Sequence, residues 1–175
     1  MKYLFYKLNY DNKIHIRSIE LSGKFTAVVW KPSVFKIIPK GISLFPSAVW
    51  WAMHNLNIFS NRNYCLYLIY NEKKLIHRSV VSPRYFRFPF MTKDDLQIGD
   101  TWTAPEYRGK SLATFAAKDI VGLLRKPRRS FWYIVEQDNI SSIKVIEKLG
   151  FINHGLGIRK KRMGLHLLGI YELEK

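Results

Sequence analysis

The chain has 175 residues, 47% of them hydrophobic, which suits one ordinary domain whose core needs neither disulfides nor metal. Its formal net charge is +16, from 29 Lys and Arg against 13 Asp and Glu; that field favours a phosphate-bearing cofactor, a nucleotide-linked substrate, nucleic acid or an anionic membrane without choosing among them. The lone cysteine, Cys65, excludes a disulfide framework and offers no metal site. No run approaches the ~18 apolar residues that span a bilayer, and residues 1–8 alternate lysine with aromatics rather than forming a secretory leader, so a cytoplasmic setting is expected.

Residues 2–8, 13–21 and 25–30 read as strands, and Pro46 stands near the start of a helix predicted over 46–59. The alternating run 64–70, which holds Cys65 as buried filler, and the run 75–81 form a hairpin around a polar turn at 71–74. A strand follows over 96–103. Apolar residues at Ala113, Ala116, Ala117, Ile120, Leu123 and Leu124 predict a helix over 110–125, ended by Lys126-Pro127. Residues 131–136 are almost wholly apolar, as in a strand covered on both faces. A helix capped by Asn139 or Ser141 runs to Leu149, where Gly150 supplies a left-handed stop. Strands over 151–159 and 165–173 flank a turn at 162–164. Two basic clusters, Arg125-Lys126-Pro127-Arg128-Arg129 and Arg159-Lys160-Lys161-Arg162, read as connections between elements.

The stretch Thr103-Ala104-Pro105-Glu106-Tyr107-Arg108-Gly109-Lys110-Ser111-Leu112-Ala113 leads from a strand through a tight turn into a helix. Unpaired N–H groups at such a turn and the positive end of the helix dipole bind anions. Gly109 lets the backbone approach closely, and Lys110 adds charge at the rim. One strand later comes Asn139-Ile140-Ser141-Ser142-Ile143-Lys144-Val145-Ile146-Glu147-Lys148-Leu149-Gly150-Phe151. In these two motifs, across residues 96–151, the chain resembles the GNAT acetyltransferase superfamily. The resemblance implies an α/β fold with a mixed, mostly antiparallel sheet, a splayed central pair of strands and helices on both faces. It also implies acetyl-CoA as acyl donor and a primary amine as acceptor. Trp102 and Thr103 would pair with the pantetheine arm, amides from Arg108, Gly109, Lys110, Ser111, Leu112 and Ala113 would hold the diphosphate, and Asn139 and Ser142 would reach the far side.

The chain departs from the family's pattern at three positions. Ser111 stands where relatives have glycine, Ile146 where many have a tyrosine acid, and Gln97, which takes no proton, where relatives often have a glutamate base. A thiol with a pKa of about 8.5 leaves tolerably without that tyrosine. Asp100 is the first candidate base and His77, whose imidazole titrates near working pH, the second. Either also has a purely structural reading. Arg84, Tyr85 and Arg87, in a Pro-bounded run of arginines and aromatics, would grip a phosphate and stack on a base or sugar, with Trp50 and His54 as the opposite wall. The same run fits an aromatic core with arginines snorkelling outward. The runs 76–79, 87–90 and 97–102 are also similar to GNAT proteins associated with bacterial surface-polysaccharide synthesis, which implies a nucleotide-linked amino sugar as acceptor. Acetylation of tRNA or of a ribosomal or protein amine, and non-catalytic binding of CoA or nucleic acid, are the alternatives. The oligomeric state stays open.

Overall fold

The computed structural model describes residues 2–11, 21, 23–33, 35, 38–162 and 165–174, with the backbone alone for 44–46, 162 and 165–168. Strands β1 (Lys2–Leu8) and β2 (Phe25–Trp30) precede helix α1 (Leu44–Asn55). The hairpin β3 (Cys65–Asn71) and β4 (Lys74–Pro83), then β5 (Leu96–Thr103), lead to α2 (Leu112–Leu124). The chain continues through β6 (Phe131–Glu136), α3 (Ile140–Lys148), β7 (Ile152–Arg162) and β8 (Leu165–Leu173). The described strands form one eight-stranded sheet in the order β2-β3-β4-β5-β6-β1-β7-β8. Every neighbouring pair is antiparallel except β5 and β6, which run parallel.

The period-two alternation sorts side chains onto two faces. Tyr6 and Leu8 of β1, Cys65, Tyr67 and Ile69 of β3, Leu96 and Ile98 of β5, and Phe131, Tyr133 and Val135 of β6 share a core with α2 and α3. Phe5, Leu66, Leu68, Val80 and Trp132 point the other way, against Trp50 and Met53 of α1 and the loop that carries Tyr85, Phe88 and Met91. Two phenols tie the helices to the first face: Tyr6 donates to Glu147 of α3 at 2.8 Å and Tyr67 to Asp119 of α2 at 2.6 Å. Cys65 is buried and free, and burial pushes its thiol up to about 12.

β5 and β6 pair only at Leu96↔Phe131, Gln97↔Trp132 and Ile98↔Tyr133, and beyond that they part. Buried Asp95 holds the closed end. Its carboxylate accepts from the Ser130 amide at 3.0 Å, the Trp132 indole Nε1 at 3.0 Å and the Thr92 amide at 2.9 Å. Arg129 closes the same corner by donating to the carbonyls of Asp94 and Leu124 at 2.9 and 2.6 Å.

Several expected boundaries move. The helix predicted over 46–59 is α1, which ends at Asn55 because Asn57 takes a left-handed conformation (φ 56°) and the Ile58 amide bonds back to the Met53 carbonyl at 3.0 Å. Phe59 instead stacks on Tyr64, with ring centroids 5.1 Å apart. The helix predicted from Lys110 starts at Leu112, since Ser111 is left-handed at φ 57°. The basic run 159–162 lies within β7, where Lys160 pairs with Glu172 at 2.5 Å, and is not a connection. The strand expected over 13–21 lies outside the described residues except at Leu21, as do Met163 and Gly164 of the expected turn.

Replacing Asp95 with alanine strands two buried donors, each worth about 1–3 kcal/mol when left unsatisfied, so Asp95→Ala should lose about 3–5 kcal/mol in denaturant unfolding. Asp95→Asn, which keeps one carbonyl acceptor, should lose less.

Candidate active site

The parting of β5 and β6 opens a cleft of ≈ 570 Å³ on the face of α2 and α3. Thr101, Trp102 and Thr103 line its β5 side, Tyr133 its β6 side, residues 107–109 and 111–114 its loop and helix end, and Asn139, Ser141 and Ser142 the start of α3. Arg108, Lys144 and Lys148 bring positive charge to it.

The two helix starts differ. Asn139 caps α3, accepting from the Ser142 amide at 3.1 Å and the Ser141 hydroxyl at 2.9 Å. No side chain caps α2, whose first amides therefore face the cleft with the helix dipole behind them. Gly109, at φ 76°, has nothing within 4 Å of where a Cβ would stand, so the loop backbone is open to an approaching ligand. Ser111 adopts the left-handed conformation that glycine would favour, and its carbonyl accepts the Phe115 amide at 2.9 Å. Open amides, a close backbone approach and three cations suit a diphosphate, and the gap between the strands suits an extended arm. The residues present fit CoA.

Of the residues expected to hold the cofactor, Trp102, Thr103, Arg108, Gly109, Ser111, Leu112, Ala113, Asn139 and Ser142 line this cleft. The Lys110 ammonium instead lies over the Tyr107 ring, 4.8 Å from its centroid. Sequence reasoning passed over Thr101, Tyr107, Tyr133, Lys144 and Lys148. The helical spacing of Lys144 and Lys148 from Ser141 was the available signal for the last two. Ile146, where a tyrosine acid was sought, is fully buried in the core.

A second cavity of ≈ 310 Å³ opens on the opposite face. It is lined by Trp50, Val80, Ser82, Tyr85, Arg87, Phe88, Gln97, Gly99, Asp100, Ile134 and Tyr171. Trp50, Tyr85, Arg87 and Asp100 thus line one cavity, whereas Arg84 and His54 are not among the lining. His54 leans on Tyr64, ring centroids 6.3 Å apart, and burial with nearby Arg62 and Lys31 lowers its pKa. Arg87 does not simply snorkel: its guanidinium lies 5.7 Å from the centroid of the Tyr85 ring.

The two cavities are lined by adjacent residues of one bulge, Asp100 on one face and Thr101 on the other. Val80 pairs with Gly99 and Arg78 with Trp102, so Asp100 and Thr101 together face Ser79. Asp100 is left-handed (φ 43°), and its carboxylate takes a hydrogen bond from Arg78 at 3.0 Å. Gln97 folds over Gly99, where a Cβ would come within 2.2 Å of the Gln97 amide nitrogen, and donates to the Ile98 carbonyl at 2.9 Å.

His77, the second candidate base, lies in neither lining. It is fully buried, with Nδ1 2.8 Å from the Thr103 hydroxyl and Nε2 3.1 Å from the Ser79 hydroxyl. Burial, with a smaller contribution from Arg78, lowers its pKa to about 4, so it is neutral at working pH and ties β4 to β5.

A family model described as the acetyltransferase (GNAT) family matches residues 34–151, well over half of the chain. The chain belongs to that family. A search of curated proteins found no match. Among solved structures, a Drosophila protein aligns with a TM-score of 0.60 at 10% identity, over 89% of this chain and 48% of its own. A tandem GNAT protein from the clavulanic acid biosynthesis pathway aligns with a TM-score of 0.57 at 15% identity, over 87% of this chain and 50% of its own. An N-acetyltransferase from Staphylococcus aureus Mu50 gives 0.55 at 12% identity, over 77% of this chain and 87% of its own. The chain spans about half the length of the first two, and these likenesses speak for the fold alone. No described helix is long and apolar enough to cross a membrane.

Two outcomes follow from this geometry. An unfolded histidine binds a proton near pH 6.5 whereas His77 resists it until about pH 4, so unfolding free energy should fall as pH drops through that window. The His77 share is about 3 kcal/mol, measured as the part of the pH dependence missing in His77→Asn. Relieving the left-handed strain, Ser111→Gly should gain about 0.5–1 kcal/mol in thermal unfolding, while β-branched Ser111→Val should lose about 1–2 kcal/mol.

Proposed function

We propose that the chain acetylates the primary amine of a nucleotide-linked amino sugar, with acetyl-CoA as donor. The observation that carries this reading is that adjacent residues of the Asp100 bulge line a cleft suited to a diphosphate and, on the other face, an aromatic cavity. Bound acetyl-CoA would supply a thioester carbonyl, held by the amides of the loop and α2 with its arm along Trp102 and Thr103. The acceptor would enter from the second face. Trp50 and Tyr85 offer ring faces for a sugar or base, and Arg87 a planar fork for a phosphate. A cavity of ≈ 310 Å³ lies at the small end of ligand sites, in keeping with one sugar ring inside and its nucleotide toward the exposed mouth.

Asp100, which lines the second cavity beside the bulge, is the base in this reading. Its carboxylate accepts the proton released by nitrogen, directly or through one water, while Arg78 fixes its direction. Gln97 is an amide donor with no capacity to replace it. Amino sugars are less basic than lysine side chains, so a larger share of the amine is already neutral and a weak base suffices.

Thiol release from acetyl-CoA should appear with nucleotide-linked amino sugars and exceed that with tRNA or peptides. Preference for tRNA or peptides would overturn the acceptor assignment, and no release with any amine would leave a binding protein. Asp100→Asn should lower turnover by about 100-fold with CoA affinity retained, checked by the same assay and by calorimetry.

A further inference from the structure

The second cavity has more positive charge beside it than its lining alone supplies. Tyr85 and Tyr171 both stand on its wall, and each ring carries an arginine. The Arg87 guanidinium lies 5.7 Å from the Tyr85 centroid, and that of Arg159 lies 5.6 Å from the Tyr171 centroid. Arg87 itself lines the cavity, whereas Arg159 is one ring removed from it.

The fold gathers the two arginines from distant parts of the chain. Tyr171 of β8 is the register partner of Arg159 of β7, so both side chains leave the sheet on the same side. Alternation sends the next residue, Lys160, to the other side, where it pairs with Glu172. The basic run 159–162 is thereby split between two faces. The Tyr171 amide donates to the Arg87 carbonyl at 3.0 Å, which pins the loop to β8. Phe88 fills the space between the two tyrosines, stacked on Tyr171 with centroids 5.8 Å apart and edge-on to Tyr85 at 5.1 Å. Both arginines are half-buried and their Nε atoms are buried, so the root of each planar fork is fixed.

The geometry points to Arg87 and Arg159 as a two-point clamp for the diphosphate of a nucleoside-diphosphate-linked sugar, with Arg159 the residue that tells a diphosphate from a monophosphate. This rests on the nucleotide-sugar reading and narrows it to one class. The sugar lies inside, on the side of Asp100. Arg87 takes the phosphate attached to it, and Arg159, further out, takes the next, because each guanidinium presents a planar fork that matches one phosphate. A nucleoside monophosphate engages a single fork. Both charges act on the same aromatic wall: burial pushes the Tyr85 phenol up to about 12 and raises that of Tyr171, and the two guanidiniums oppose the rise at each ring.

The test is calorimetry on protein saturated with CoA, so that the first cleft is filled and only the second cavity is read. UDP, dTDP, GDP and CDP are compared with UMP, dTMP, GMP and CMP. At least one diphosphate should bind about 10-fold more tightly than its monophosphate, the effect of one further charge-assisted contact. In Arg159→Gln that ratio should fall to about one while the monophosphate binds as before, since only the second fork is gone. A purely structural role for Arg159 would weaken both ligands alike and leave the ratio standing. CoA affinity equal to that of the wild type shows that the variant is folded. Should Arg159→Gln lose CoA binding, Arg87→Gln supplies the test, with the same collapse of the ratio expected. A ratio near one in the wild type, or a ratio that survives the substitution, overturns the clamp and leaves the nucleotide-sugar reading in place. Wild-type protein that binds none of these nucleotides and releases no thiol with any nucleotide-linked amino sugar sinks both.

Discussion

The parallel pair β5 and β6 is held shut at one end and free at the other, and the rest of the site depends on that. Three rungs join the strands, and below them Asp95 ties the start of β6 to the turn before β5 through two backbone amides and an indole. A buried carboxylate with three donors is a rigid joint, because each bond lost would leave a polar group without water. Above the joint, the strands are free to diverge, and unpaired strand edges become the walls of a cleft. The opening is a consequence of fold geometry and does not require a moving part.

The bulge on β5 sends adjacent residues to two cavities on opposite faces. One extra residue opposite Ser79 swings Asp100 toward the aromatic cavity while Thr101, Trp102 and Thr103 stay with the cleft. Behind it, neutral His77 bridges β4 and β5 through hydroxyls, so the strand that carries the bulge is braced by hydrogen bonds that cost no buried charge. The two helix starts divide labour in the same economical way: Asn139 satisfies its own helix, whereas α2 leaves its amides open. Glu147 and Gly150, which in the sequence belong to one motif, serve architecture, the first as acceptor for Tyr6 and the second as a left-handed helix stop.

Much of this was legible in the residues. The almost wholly apolar run 131–136 marked a strand because a sheet buried on both faces demands apolar residues on both, and the Gly150 stop matched its observed φ of 81°. The loop from Thr103 to Ala113 was readable because a strand, a turn and a helix start follow one another along the chain. Ser111 resisted reading: nothing about serine announces a left-handed backbone, and that conformation sets where α2 begins.

By itself the sequence determined the class of fold, the order of its elements from residue 64 onward and the loop that leads into α2, since each rests on local periodicity or on neighbours along the chain. Tertiary structure alone decided which distant side chains share a cavity. It buried His77 and brought Trp50, Tyr85, Arg87 and Asp100 around one cavity. It also set Tyr133 at the apex of the gap. The physical reason is that strand register and a single bulge select the face and the partner of every side chain, and neither is written in the spacing of the residues concerned.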